Sequence, residues 1–456
     1  MSIVVEFHNG YMLQAIMPFF IHRPKNDISL LKNNVFSGKH TQLFLIVFGL
    51  ILGPAIASAK VRTFTEDALS VTTRQNPDYD PSGIRVGDFN FSPSISNTLK
   101  YNDNVYASSI EKVHDLIFTV RPSMNISSDF VRHEMSANFY VEKGLYKDND
   151  GEDYTDYSGE LNGRIDITGD TSMPISLAIT RDHVRRGSPD ERANLRPTVF
   201  KLFEGTVGLA HEGQKIAVKT IAGFKRYVFE NTIGTLGTVD NGDRDRNLYS
   251  LYTSVGLSPD AICAPFVYAD ILKTEYDRGL DSNGFNRNSF QYEAGVGTTL
   301  NFSDVTKATF TVGRLRRHME DDNLKDTTGL AYAVNVVWEP STLASFMLEG
   351  KRTMDESTLD GISGSIGSSL RLSMNYELFP NLFFNPYVGF IERIYEGLND
   401  PKTHTWDAGI AATYKMNRNV WLGASYQYIN QDEKEPSPDL DSYENNVFGV
   451  SMNLQF

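Results

Sequence analysis

The chain of 456 residues contains one cysteine, Cys263, and three tryptophans. A single thiol excludes an internal disulfide framework, so Cys263 reads as a small apolar side chain and the fold must hold by pairing and packing. Positive charge is also scarce, with 43 Lys and Arg against 57 Asp and Glu and a net charge of −14. Nucleic-acid binders need basic stripes to neutralise phosphates, so nucleic acid is excluded as a partner. Leu43 to Ala57 is the one long apolar run beside a processing signal, and it falls short of the roughly 20 residues that a spanning helix needs. A Gly-rich phosphate loop, a Cys/His metal pattern and a dinucleotide fingerprint are all missing, so neither metal nor cofactor is expected.

Aromatic residues are plentiful. The chain has 22 Tyr and 28 Phe yet a mean hydropathy of −0.32, which fits a barrel with aromatic girdles and a wet interior better than a helical membrane protein. Lys39 and His40 precede the apolar run, Gly53-Pro54 interrupts it, and Ala57-Ser58-Ala59 supplies the small-x-small pattern of signal peptidase. Residues 1–59 are therefore expected to be a signal peptide cleaved after Ala59, with Met12 or Met17 as alternative translation starts. Removing the four basic and two acidic residues of this leader takes the mature chain to −16.

The last residues alternate. Phe448, Val450, Met452, Leu454 and Phe456 share one strand face, and Gly449, Ser451, Asn453 and Gln455 share the other. One face suits lipid and the other water, and the aromatic-ended strand resembles the C-terminal signal read by the barrel-assembly machinery of Gram-negative bacteria. The same alternation recurs from Phe89 onward. Leu161, Gly163, Ile165 and Ile167 interleave with Glu160, Asn162, Arg164 and Asp166, and Leu370, Leu372, Met374 and Tyr376 interleave with Arg371, Ser373, Asn375 and Glu377.

Tight links such as Thr168-Gly169-Asp170, Ser303-Asp304-Val305 and Phe379-Pro380-Asn381 alternate with long ones such as Gly187 to Arg196, Glu230 to Arg246 and Gln431 to Glu444. This rhythm predicts an all-β fold: a single antiparallel transmembrane β-barrel of about 18 strands, or 16 if the first or seventh is misread, with short periplasmic turns and long extracellular loops. Residues 60–88 form a periplasmic leader, either disordered or inserted into the barrel mouth, and 89–456 form the barrel. About 16 to 18 strands leave an aqueous channel.

An Arg or Lys on the lipid face at mid-membrane costs about 2–4 kcal/mol, so charged strand residues should face the lumen. The lumen-lining candidates are Arg121, Arg164, Lys219, Lys351 and Arg371 with Glu142, Glu160, Asp166, Asp182, Glu204, Asp270, Glu293, Glu349, Glu377 and Asp407. They can pair across strands or engage solutes, and Tyr140, Tyr268, Tyr387 and Trp421 offer stacking surfaces. Trp338, Tyr376, Phe384, Trp406 and Tyr414 read as outer girdle residues, and Asp148, Asp150, Glu152 and Asp153 as solvated loop carboxylates. Arg314 and Arg316 point either outward, toward lipid-A phosphates, or inward through a local bulge. Catalysis is weakly supported. Asp182 and His183 are adjacent and should face opposite sides, while His318 and Glu320 share a face but lack a nucleophile.

The segment from Asp78 through Pro81, Gly83 and Gly87 to Phe89, with Pro93-Ser94 and Tyr101-Asn102-Asp103-Asn104-Val105-Tyr106, resembles the opening of the Putative beta-barrel porin 2 family. Arg121-Pro122, Tyr154 to Tyr157 and Arg181-Asp182-His183 to Arg185 extend the resemblance, with Val184 where the family has an acidic residue. The resemblance implies a non-enzymatic outer-membrane protein acting as conduit or accessory in exopolysaccharide or capsule export and biofilm matrix formation, alongside periplasmic polysaccharide export proteins. The alternatives are a general or solute-specific diffusion porin and, less favoured, a rim-active enzyme. Expected partners are outer-membrane lipid and lipopolysaccharide, the barrel-assembly machinery, and a polysaccharide or small hydrophilic solutes.

Overall fold

The computed structural model describes residues 71, 74, 76–188, 191, 195–234, 237–397, 400–434 and 442–456. The expected signal peptide, its cleavage position and residues 60–70 lie outside the described residues. Eighteen barrel strands follow one another: β1 Phe89–Asn102, β2 Asp115–Ser128, β3 Glu134–Tyr146, β4 Tyr154–Asp166, β5 Thr171–His183, β6 Val199–Glu212, β7 Ile216–Phe229, β8 Arg246–Leu257 and β9 Cys263–Tyr276. The second half is β10 Ser289–Ser303, β11 Thr306–Met319, β12 Thr327–Ser341, β13 Ala344–Asp355, β14 Gly364–Phe379, β15 Leu382–Glu396, β16 Lys402–Lys415, β17 Val420–Glu433 and β18 Tyr443–Gln455. Each pairs antiparallel with its neighbours, and β18 closes the sheet on β1, from Ser94↔Gln455 to Asn102↔Val447.

Alternation decides which face is which. In β4, Leu161 and Ile165 are exposed on the outer wall, whereas Glu160, Asn162 and Arg164 take the opposite phase and face inward. In β18, Phe448, Val450 and Met452 are exposed outside, with Leu454 in the same phase, and Gly449 and Gln455 are buried inside. Trp338, Trp406 and Tyr414 stand exposed on the outer wall, where ring bodies meet lipid and polar edges meet headgroups.

At one end the links are tight, such as 304–305 between β10 and β11 and 380–381 between β14 and β15. Asn417 shows why a short link suffices: its side-chain oxygen accepts the N–H groups of Asn419 at 2.8 Å and Val420 at 3.0 Å, which turns the chain locally. At the other end run the long links 184–198, 230–245 and 277–288. A further short strand, Ile84–Val86, turns back on β1 with Ile84↔Phe91 and Val86↔Phe89. Gly83 and Gly87 flank it at φ +69° and +60°, and a Cβ on Gly83 would strike the Asn90 side chain at 2.3 Å, so both positions favour glycine.

Candidate functional site

The register carries all the lumen candidates named above onto the inward phase. Along the wall Glu142 faces Asp156, Glu204 faces Lys225, Asp270 faces Glu293 and Glu349 faces Arg371. Several meet directly. Arg121 lies 3.7 Å from Glu142 and 3.8 Å over the Tyr140 ring, and Arg164 bonds Asp166 at 2.9 Å and Glu134 at 2.8 Å. Lys225 pairs with Glu204. Arg371 lies 3.7 Å over Tyr387 and 3.5 Å from Asp407, which also accepts the Tyr387 hydroxyl at 2.9 Å and Gln427 Nε2 at 2.8 Å. Tyr268 donates to Glu293 at 2.7 Å. Glu160 accepts only Asn162 Nδ2, at 2.8 Å, and Lys219 forms no ion pair among the described residues.

Among the described residues, three segments pack inside the wall. The first is the stretch through 74–83 at the tight-turn end. Arg74 pairs with inward-facing Glu377, Asn76 Nδ2 donates to Pro380 O at 3.0 Å, Lys415 Nζ meets Asp80 at 2.5 Å, and Trp421 Nε1 donates to Tyr79 O at 3.0 Å. Those partners sit on β14, on its turn to β15, and on β16 and β17, and Ile84–Val86 then joins β1, so this strap follows the inner rim of the mouth.

The second is 184–188, after β5. Arg186 binds Glu152 at 2.6 Å and Glu191 at 3.2 Å, so Glu152, expected to be solvated, is buried in an ion pair. Gly187, at φ +85°, lies so close to Ala107 and to Tyr443 of β18 that a Cβ would meet either at 2.9 Å. The Arg185 side chain is exposed to the lumen and makes no hydrogen bond or ion pair among the described residues, while its carbonyl accepts the Ser188 N–H at 3.1 Å. Alternation carries the fifth strand on to Arg185 and puts it in the phase opposite Asp182, but the strand ends at His183 and Arg185 lies in the link that follows.

The inward turn at Val184 also corrects the expectation for Asp182 and His183. His183 Nδ1 lies 2.9 Å from Asp156 and 3.6 Å from Asp182, and its ring packs tilted against Tyr154 with centroids 4.5 Å apart. His183 is the last residue of β5 and swings inward with the chain, so strict two-fold alternation no longer applies. Asp156, Asp182 and His183 offer ligand atoms within 4.8 Å of one another, a spacing that a metal ion can use.

The third segment is the β13–β14 link, 356–363. Above the row Tyr332↔Arg352, β12 and β13 are no longer paired, and the β13–β14 tip leans inward until Met354 and Ile366 bury against Leu315 and Ala331. Glu356 thereby reaches the lumen side of other strands, accepting Thr274 at 3.3 Å and the Tyr276 hydroxyl at 3.4 Å and pairing with Arg317 at 3.2 Å. Arg287, from the β9–β10 link, fastens it by donating to Ser357 O at 2.6 Å, Ile362 O at 2.7 Å and Leu359 O at 2.8 Å, while its Nε binds Asp281 at 2.5 Å.

His318 and Glu320 do not form a site. His318 faces outward and pairs with Asp326 at 2.9 Å, whereas Glu320 accepts Asn288 Nδ2 at 3.0 Å.

An apolar, aromatic-banded outer wall closed around a charged lumen defines a porin-type barrel of the outer membrane. The family described as "Putative beta-barrel porin 2" matches residues 76–456, and the chain belongs to that family. Among solved structures, the chain is similar to Pseudomonas aeruginosa OccK2 (OpdF), with TM-score 0.44, 12% identity, and 81% of this chain and 99% of that one covered. It is also similar to Pseudomonas aeruginosa OpdK solved with vanillate (TM-score 0.41, 10% identity, 80% and 99% covered) and to Acinetobacter baumannii OccAB2 (TM-score 0.43, 11% identity, 81% and 98% covered). The likeness extends to the barrel fold alone. No curated protein matches the chain.

Proposed function

We propose that the protein is a diffusion porin for small hydrophilic solutes. The observation that carries this reading is the set of segments packed inside the barrel at both ends: Arg74 and 76–83 along the tight-turn mouth, and 184–188 and 356–363 toward the long loops. A hydrated polymer would have to displace all three, including the buried Arg287 and Lys415 contacts, whereas a small solute passes beside them. Exopolysaccharide conduction is therefore the less favoured reading. Inward Arg121, Arg371 and Arg185, with Tyr140 and Tyr387 stacked on the first two, give small anions and sugars polar and aromatic surfaces.

Liposome swelling tests the proposal. Mono- and disaccharides and small carboxylates should enter at rates that fall with solute size, and dextran should not enter. Liposomes carrying folded barrel that take up none of the small solutes would refute it. A deletion strain with normal small-solute uptake but no surface polysaccharide would restore the export reading.

A further inference from the structure

The outer wall carries a second candidate surface, independent of what passes through the lumen. The sequence leaves Arg314 and Arg316 undecided between facing out and facing in, and the register decides it. β11 pairs without interruption with β10 from Ser289↔Met319 to Asn301↔Lys307 and with β12 from Arg317↔Thr327 to Thr306↔Trp338. No bulge intervenes along this stretch, so inward Leu315 and Arg317 fix Arg314, Arg316 and His318 on the outer face, where all three are exposed.

Their neighbours set the depth. Arg316 stands opposite Tyr292, His318 opposite Phe290 and Arg314 beside Leu330, all exposed apolar or aromatic residues of the outer wall. Aromatic rings of this kind mark the level at which hydrocarbon gives way to headgroups. Arg316 and His318 share one carboxylate, Asp326, at 3.3 and 2.9 Å. The Arg314 side chain makes no hydrogen bond or ion pair among the described residues, so one positive charge on this face is uncompensated. A guanidinium facing lipid is costly unless an anion meets it, and its planar fork matches a phosphate in two parallel hydrogen bonds.

We infer that Arg314 and Arg316 form a lipopolysaccharide site in which the two guanidiniums receive a phosphate of lipid A. In the outer leaflet that phosphate lies at the boundary between acyl chains and sugar, which is the level of Tyr292 and Leu330. His318 and Asp326 hold Arg316 in place from the loop side.

Native mass spectrometry of detergent-solubilised, folded protein tests the inference with three added lipids: bisphosphorylated lipid A, its monophosphorylated form, and phosphatidylglycerol. The wild type should retain bisphosphorylated lipid A in preference to both others. The Arg314→Gln/Arg316→Gln variant, checked for heat-modifiable migration, should bind it about tenfold more weakly or worse. Equal binding by the folded variant, or a wild type that takes phosphatidylglycerol as readily as lipid A, would overturn the site. Should the variant fail to fold, the wild-type comparison of the two lipid A forms still decides, because equal retention of both removes the phosphate contact.

Discussion

Arg287→Ala should open the channel. The side chain is 2% exposed and holds the β13–β14 link through Ser357, Leu359 and Ile362 carbonyls, with Asp281, itself 6% exposed, neutralising its charge. Truncation leaves a buried carboxylate without its cation, which costs about 3–5 kcal/mol, and each buried carbonyl left without a donor costs on the order of 1–3 kcal/mol. These terms do not sum, because the link can swing into the lumen and regain its hydrogen bonds from water. The penalty is therefore capped near the cost of release, about 4 kcal/mol, close to a thousandfold shift from seated to released link. Arg287→Lys retains the charge for Asp281 but lacks the fork that reaches three carbonyls, so an intermediate effect is expected. Planar-bilayer recordings should show higher single-channel conductance for the alanine variant, and swelling assays should show entry of larger sugars. A folded Arg287→Ala barrel with wild-type conductance and size cutoff would refute the placement of this link across the conducting path.

Other outcomes are equally direct. Asp80→Ala leaves Lys415, 5% exposed, with a buried unpaired charge; a loss of about 3 kcal/mol should loosen the strap, and protease added from the periplasmic face should then cut within 74–83 faster than in wild type. Arg185→Glu reverses a lumen guanidinium that forms no ion pair among the described residues, so the reversal potential in a salt gradient should move toward cation preference, and an unmoved potential would show that the guanidinium lies off the path. Asp277 is held below its ordinary pKa, first by its hydrogen bond to Arg226 and against a smaller push from burial. A carboxylate lowered on folding stabilises above its unfolded pKa and loses that contribution as pH falls through the folded value. Protease sensitivity of the 277–288 link should therefore rise only as pH drops below about 4, and an onset near neutral pH would contradict the pairing.

The eighteen strands were legible because a barrel wall imposes lipid on one face and water on the other, which writes period two into every strand. Strand ends were less so. β4 begins at Tyr154 and β12 runs from Thr327 to Ser341, ends that side-chain pattern does not mark, since beyond the hydrocarbon both faces are wet and alternation loses its meaning. The inward phase of Arg121, Glu204 or Asp407 follows from the same rule. The inward segments do not. Arg287 reaches carbonyls some seventy residues away, and backbone acceptors leave no trace in side-chain pattern. Arg185 sits in a link whose path depends on Gly187 meeting Tyr443, a contact between segments far apart in sequence. The joining of His183 with Asp156 and Asp182 was hidden for a related reason, since the turn that makes it possible lies just beyond the strand.

The stagger at the barrel seam has a consequence for association. On one side β1 pairs with β2 along its whole length, Phe89 to Asn102, but on the other β18 covers only Ser94 to Asn102. The remaining backbone of β1 would present free N–H and C=O groups, a template on which a strand from another chain can add. Ile84–Val86 folds back onto Phe89, Asn90 and Phe91 on that stretch. The short strand thus occupies part of the edge on which a foreign strand could add, and Gly83 and Gly87 are the turns that allow it.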